Sequence, residues 1–218
     1  MSLLIVAALL WLGLHIGVSG TGVRATLVGA LGEGRFKGGF SLLALALLVL
    51  LIVAYAKADT TPLWFAPPWF VAVVDVAMLA ALVLLAAAVI KPRSAGDGPR
   101  GIFRVTRHPM MSAAGLWAGA HMLANGDTAS LVFFGTFLLT VLFGLPSADA
   151  KLVRREPAKA AALHPQTSRM PFAAILAGRN RLVLAEIGWL PPVAGLIAWI
   201  ALLALHPLVI GVPAVPVW

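Results

Sequence analysis

The sequence contains no cysteine and few charged residues. Of its 218 residues, 11% are charged, against about 25% in an average soluble domain. The absence of cysteine excludes a disulfide-stabilised scaffold. The small number of charges excludes an intrinsically disordered chain and an ordinary cytosolic enzyme. It also leaves too little polar surface for a face that binds nucleic acid.

Apolar residues make up 61% of the chain, and the mean hydropathy is +0.99. Six apolar runs approach the length of about 20 residues that a helix needs to cross a bilayer. They cover residues 3–23, 40–56, 69–90, 109–124, 129–146 and 183–205. The sequence therefore predicts an all-α, polytopic integral membrane protein with six transmembrane helices and one domain over residues 1–218.

The basic residues are distributed unevenly between the connections. Lys and Arg outnumber Asp and Glu by 16 to 8, and 15 of the 16 lie in residues 24–39, 91–108 and 147–182. Loops rich in Lys and Arg stay on the cytoplasmic side of a membrane. The pattern predicts that these three connections face the cytoplasm and that both termini lie outside. It also predicts anionic lipid head groups as the partner of the basic loops.

Three ionisable residues are predicted to lie at membrane depth: His15 in the first span, Asp75 in the third and His121 in the fourth. Such residues are costly in a membrane and therefore indicate function. Both histidines end the pattern W-x-G-x-H, in which Trp11 and Trp117 lie one helical turn earlier on the same face. Because the first and fourth spans are predicted to run antiparallel, the shared pattern is compatible with a 3+3 inverted repeat.

The two histidines point to a haem site. Two facing imidazoles can hold a haem iron between apolar helices, because neutral imidazole is a common metal ligand. His15 and His121 are therefore the candidate ligands, and Arg24, Arg104 and Arg107 are the nearest cations for the propionates. The alternative is that each histidine bonds a helix carbonyl or a water molecule.

An axial offset separates the two candidate ligands. With spans centred near residues 13 and 117, His15 and His121 differ in depth by roughly 9 Å at about 1.5 Å per residue. His108, on the cytoplasmic side, is the substitute ligand if His121 does not serve. Asp75 lies at the depth of His121 and could accept a hydrogen bond from its second ring nitrogen. Alternatively, Asp75 is protonated and bonded to a neighbouring helix.

Two segments carry a family resemblance: GIFRVTRHP at 101–109 and LWAGAHMLANGD at 116–127. Together with shorter upstream stretches, they resemble the NnrU family of bacterial membrane proteins over about residues 3–155. The resemblance implies a bacterial cytoplasmic-membrane protein, and the family name refers to nitrite and nitric oxide metabolism. The family is similar to plant-type zeta-carotene isomerases, membrane haem b proteins that convert a cis double bond of a polyene without net redox change. Their two haem ligands align with His15 and His121.

One position departs from the isomerase pattern. Those enzymes carry a cysteine three residues before the second histidine, where this chain has Ala118. Exchange of an iron ligand for a thiolate is therefore excluded here, whereas haem binding by His15 and His121 does not require the cysteine.

The R-H-P-M segment also resembles membrane methyltransferases in which an R-H-P-x-Y motif helps to bind S-adenosylmethionine. This chain departs from that pattern at two points: Met111 replaces the tyrosine, and the pair of glutamates expected later in that family is reduced to Glu156 alone. Alternatively, Arg107 and His108 mark the start of a helix with Pro109 in its first turn.

Three classes of function follow from these patterns. The first is a haem-dependent, isomerase-like activity on a cis-polyene or related apolar lipid that enters laterally from the bilayer. The second is a haem-based redox or nitric oxide sensor, or an electron carrier. The third is a membrane methyltransferase or an assembly protein without a cofactor.

Overall fold

The structure is a computed structural model that describes residues 1–90 and 98–214. Within these residues the regular structure is helical and no strand forms, which confirms the all-α class. In chain order the helices are α1 (Ser2–Leu12), a π-helical segment (Gly13–Val18), α2 (Val23–Leu31), α3 (Glu33–Ala56), α4 (Pro68–Ile90), α5 (Ile102–Val105), α6 (Pro109–Asn125), α7 (Thr128–Arg155), α8 (Pro157–Leu163), α9 (Ala173–Leu176), α10 (Leu184–Ile187) and α11 (Leu190–Val209).

Four of the described helices, α3, α4, α7 and α11, are long and apolar enough to cross a membrane. The count becomes five if α1, the π-helical segment and α2 form one broken span, because α2 is bent by 79° from the helix before it. The chain is thus a multi-pass membrane protein by the length and composition of its helices. The predicted count of six is not confirmed.

The fourth predicted span, 109–124, is the helix that leaves the count open. It forms as α6, which has 17 residues and is therefore about 26 Å long at about 1.5 Å per residue. This is shorter than the hydrocarbon core of about 30 Å. Pro109 occupies the first turn, where its missing N–H costs no hydrogen bond.

The first predicted span, 3–23, is not one continuous α-helix. It changes to a π-helix at Gly13, and the helix ends at Val18 before α2 leaves in its new direction. Glycine is a poor helix former, and Gly17, Gly20 and Gly22 lie at this break. Because π-helical segments are rare and concentrate at functional sites, the position of His15 within this one supports its selection as a candidate.

The helices pack into one bundle with α7 near its centre. Helix α6 lies between α4 and α7, α1 packs on α3 and α7, and α11 packs mainly on α4. The largest apolar core forms where α1, α3, α6 and α7 meet. The 3+3 inverted repeat stays a prediction.

One end of the bundle, here called the Gly126 end, is fixed by the turn between α6 and α7. The backbone N–H groups of Leu63 and Trp64 both donate to the Gly126 carbonyl, and Thr128 N–H donates to the Thr61 carbonyl. Gly126 has a positive φ of 64°, and a Cβ there would collide with the carbonyl oxygen of Trp64. Glycine is therefore required at this position.

The polar neighbours of Gly126 complete this turn. The Asp127 carboxylate caps α7 by accepting from the backbone N–H and the hydroxyl of Ser130. Asn125 Nδ2 donates to the same hydroxyl at 3.1 Å and lies 3.4 Å from the hydroxyl of Tyr55. The A-N-G-D part of the sequence motif therefore has a structural role at this end.

Helix α11 approaches α4 at Gly195. A Cβ at this glycine would lie 2.7 Å from Val83 Cγ2 and 2.8 Å from Val83 backbone atoms, closer than real Cβ contacts. The missing side chain is therefore what permits the two helices to touch.

We expect Gly195→Ala to lower the Tm of the protein in detergent micelles. The added methyl must displace Val83 or push α11 away from α4, and overpacking of this kind costs about 1–3 kcal/mol. Gly135→Ala is the matched control, since a Cβ at Gly135 in α7 meets no atom within 4 Å. Because alanine has a better helix propensity than glycine, that variant should be as stable as the wild type or slightly more stable. Equal Tm values for the two variants would contradict the proposed close contact.

Candidate functional site

His15 lies in the π-helical segment with its ring stacked on that of Trp11, the ring centroids being 4.0 Å apart. The edge contact of Phe40, 5.4 Å between centroids, holds another side of the imidazole. His15 Nδ1 lies 3.1 Å from the Trp11 carbonyl oxygen. A carbonyl oxygen can only accept, so Nδ1 carries the proton and donates. In the neutral ring, Nε2 then presents its lone pair.

His121 repeats this arrangement on α6. Its Nδ1 lies 3.0 Å from the Trp117 carbonyl oxygen, so Nδ1 again donates and Nε2 keeps the lone pair. Its ring stacks on Phe134 of α7 at 5.0 Å, while Trp117 is tilted by 50° at 5.7 Å. The shared W-x-G-x-H pattern therefore produces the same backbone contact in both helices. Bonding of each ring to a helix carbonyl, the alternative expected from the sequence, is confirmed for Nδ1.

An aromatic cluster joins the two histidines. Phe137 of α7 contacts Trp11 at 5.2 Å and Trp117 at 5.3 Å between ring centroids, so it lies between the two tryptophans. No direct ring contact between His15 and His121 occurs in the described part of the chain. The aromatic cluster comprises Trp11, His15, Phe36, Phe40, Tyr55, Trp117, His121, Phe133, Phe134 and Phe137.

The candidate site depends on this pair of histidines. Within residues 1–90 and 98–214, no three histidine or carboxylate side chains are arranged to hold a metal ion. A haem needs only two protein ligands, and a ligand histidine commonly donates its other ring N–H to a backbone carbonyl. The Nδ1 contacts of His15 and His121 have that form.

Of the three candidate cations, Arg24 alone contacts the aromatic cluster. Its guanidinium lies 5.3 Å from the centroid of the Phe36 ring and pairs with Glu33 at 2.7 Å. Arg104 and Arg107 lie in the 98–108 segment and are held by carboxylates of the chain, as described below. Their role toward propionates stays a prediction.

Asp75 lies on α4, and its backbone carbonyl accepts a hydrogen bond from Trp199 Nε1 of α11 at 3.1 Å. In the described residues no hydrogen bond joins Asp75 to His121. His206, which the sequence places near a span boundary, lies near the end of α11 with its Nδ1 2.6 Å from the Val212 carbonyl oxygen.

The end of the bundle opposite Gly126, here called the Asp149 end, contains a buried ionic cluster. Asp149 is 3% exposed near the end of α7, and its Oδ2 lies 2.7 Å from Arg107 Nη1 and accepts from Arg169 Nε as well. Oδ1 lies 2.8 Å from His108 Nε2 and 3.8 Å from His164 Nε2. His108, the proposed substitute ligand, is thus placed with this ionic cluster and not with the aromatic cluster.

Arg107 is itself 7% exposed and fully engaged. It also donates to the hydroxyl of Thr167 at 2.8 Å and to two backbone carbonyls, at Thr167 and His164. His108 and Arg107 therefore tie the start of α6 to the end of α7 and to the connection that follows it. Burial, followed by the positive charge of Arg107, lowers the pKa of His164.

A second ion pair extends this end toward α11. Arg104 binds Glu186 of α10 in a two-point contact of 2.8 and 2.9 Å, and the Gly101 N–H donates to the same carboxylate. The Arg104 hydrogen bonds, followed by that from Gly101, lower the pKa of Glu186 to about 2. Glu156, named from the sequence as a methyltransferase residue, is exposed and pairs with Lys159, whereas Glu186 lies beside the R-H-P segment.

Sequence analysis missed Asp149 and Glu186 as organising residues. The chain has only eight acidic residues, of which Asp149 falls in the most basic connection, 147–182, and Glu186 falls at the start of the predicted span 183–205; these unusual positions are the available signal. Their partners are 42 and 82 residues away, which no local pattern reveals.

Comparison with known proteins gives a family and two relatives. The chain matches the model of the NnrU protein family over residues 3–214. It is 38% identical over 82 residues to the chloroplastic 15-cis-zeta-carotene isomerase of Zea mays, and 37% identical over 82 residues to that of Arabidopsis thaliana. Each match covers 38% of this chain and only 22% of the relative. No solved structure matches the chain.

We expect Asp149→Asn to destabilise the protein strongly, because Arg107 would remain buried without its carboxylate. Breaking a buried ion pair from one side costs about 3–5 kcal/mol. Glu156→Gln is the control, since its exposed pair with Lys159 is worth at most about 1 kcal/mol. Thermal unfolding in detergent should show a large loss of Tm for the first variant and little for the second. A small, equal loss in both would show that the ionic cluster does not hold this end.

Proposed function

Because this chain belongs to the NnrU family, we propose that it is a membrane-embedded, isomerase-like protein that acts on a cis-polyene or related apolar lipid. In this proposal, haem b is held by His15 and His121. The observation that carries the proposal is that the two imidazoles form the same hydrogen bond and have the same tautomer. Each donates its Nδ1–H to a tryptophan carbonyl one turn earlier, which leaves Nε2 as the ligand atom.

The surroundings of the histidines fit a haem. The porphyrin faces are apolar, and the aromatic cluster offers tryptophan and phenylalanine rings from four elements of the bundle. Arg24 lies at the Phe36 edge of the cluster and would be the cation that receives a propionate. To bind one iron, the two imidazole rings must turn to face one another. His15 lies in the π-helical segment beside the break in the first helix, and His121 lies on the short helix α6.

The absence of the isomerase cysteine does not alter this fit. Ala118 is completely buried in the apolar core, one turn before His121. A bound haem iron would supply electron exchange with a double bond of the polyene. His15 and His121 would hold and orient the group, the backbone carbonyls of Trp11 and Trp117 would fix their ring positions, and the phenylalanines around them would exclude water.

The substrate class follows from the relatives and from the surface of the bundle. Both relatives are named for isomerisation of 15-cis-zeta-carotene, a long apolar polyene. Helices α3 and α11 expose large apolar side chains along their lengths, so a lipid-soluble substrate would reach the protein from the bilayer.

We expect the purified protein, produced in cells supplied with haem precursors, to show the paired sharp visible bands of a low-spin haem when it is reduced. His15→Ala and His121→Ala should each abolish these bands. His164→Ala is the control, because this histidine lies at the Asp149 end away from the aromatic cluster, and it should keep the spectrum. A colourless wild-type protein, or bands that survive both ligand substitutions, would refute the haem site.

The activity is tested in cells that accumulate a cis-polyene. Production of the protein should shift the extracted pigment toward the isomer with the trans bond, relative to an empty-vector control. His15→Ala and His121→Ala should return the ratio to the control value. A haem-containing protein that leaves the isomer ratio unchanged would favour the sensor or electron-carrier function over the isomerase.

A further inference from the structure

A cavity of about 190 Å³ opens at the Asp149 end, apart from the aromatic cluster. It lies between the end of α4, the 98–105 segment and the start of α11. Its lining combines apolar and polar residues. The apolar residues include Ala87, Ile102, Leu163, Ile187 and Pro191, and the polar residues include Arg100, Arg107, Thr167 and Glu186.

The lining residues on α4 and α11 indicate how deep the cavity lies in the membrane. Ala87 is three residues from the end of α4, and Pro191 is in the first turn of α11. Both helices are among the candidate membrane spans, so the cavity lies where they enter the membrane. A site at that depth meets acyl chains on one side and the head-group region on the other.

The charges around the cavity favour an anion. Glu186 is held by Arg104 and the Gly101 N–H, and Arg107 by Asp149, so these groups already have partners. Arg100 also lines the cavity, is exposed, and forms no ion pair or side-chain hydrogen bond within the described residues. Among these residues, it is the guanidinium of the lining that remains available to a ligand.

The volume limits the size of the ligand. At about 30 Å³ for each water molecule, the cavity has room for about six waters. Sites for drug-sized ligands occupy about 300–1,000 Å³, so a whole nucleoside-containing cofactor is too large for it. A phosphate with a small polar substituent is of the right size, and a guanidinium is the side chain best suited to phosphate oxygens.

The geometry points to a binding site for the phosphate head group of an anionic lipid. Arg100 binds the phosphate, the small cavity takes the polar substituent, and the acyl chains lie along the apolar ends of α4 and α11. A soluble phosphate ester has the same head-group chemistry but no part that would use the apolar residues of the lining. The proposal does not depend on the haem proposal, since His15, His121 and Arg24 do not line this cavity.

The test is a titration of the detergent-solubilised full chain with phosphatidylglycerol, phosphatidylcholine or sn-glycerol 3-phosphate, with Tm as the readout. Phosphatidylglycerol should raise the Tm, and phosphatidylcholine and the free ester should not. Arg100→Gln should raise the concentration for half-maximal effect at least about tenfold, since a charged hydrogen bond is lost. Arg100→Lys should restore part of the affinity.

Two further variants separate the site from general charge effects. Arg181→Gln removes an exposed cation from the same end that does not line the cavity, and it should bind phosphatidylglycerol as the wild type does. Ala87→Leu places extra volume in the cavity and should weaken binding while the lipid-free protein still elutes as a single folded species. Equal binding by wild type, Arg100→Gln and Ala87→Leu would overturn the proposal. An equal effect of glycerol 3-phosphate would overturn the assignment to a lipid.

Discussion

The buried carboxylate of Asp149 is the interaction on which the Asp149 end of the molecule depends. It accepts from Arg107, Arg169 and His108, side chains of two different connections. Without it, the guanidinium of Arg107, which is 7% exposed, would lose its carboxylate, and breaking a buried ion pair from one side is far more costly than keeping the complete cluster. The cluster therefore joins the start of α6, the end of α7 and the loop that follows α8.

The two ends of the bundle are fixed by different physics. At the Gly126 end, backbone hydrogen bonds to the Gly126 carbonyl and the cap by Asp127 close the turn with little formal charge. At the Asp149 end, ion pairs and guanidinium–carbonyl hydrogen bonds hold the helices and their connections together. Between the ends, aromatic stacking carries the packing around His15 and His121. Each kind of interaction occurs where the surrounding polarity permits it.

Local features of this molecule could be predicted from the sequence. The third predicted span, 69–90, forms as α4 over Pro68–Ile90, and the contact of each histidine with the tryptophan one turn earlier follows from helical geometry. The shortness of α6 follows from its apolar run, residues 109–124, which is the shortest of the six. The bend after Val18 could not be predicted from hydropathy, which measures composition but not backbone direction. The ion pairs could not be predicted either. With 16 cations and 8 anions in the chain, no local sequence pattern indicates that Asp149 pairs with Arg107 or that Glu186 pairs with Arg104.

The attachment of α11 has a thermodynamic consequence for the cavity. Val83 and Gly195 touch, and one turn nearer the membrane boundary Ala87 and Pro191 line the cavity. Any molecule that fills the cavity therefore binds more tightly when α11 is seated on α4 than when it is displaced. By reciprocity, the filled cavity favours the seated helix by the same free energy. Ligand binding in the cavity and the packing of α11 on α4 are thus thermodynamically linked, so that each favours the other.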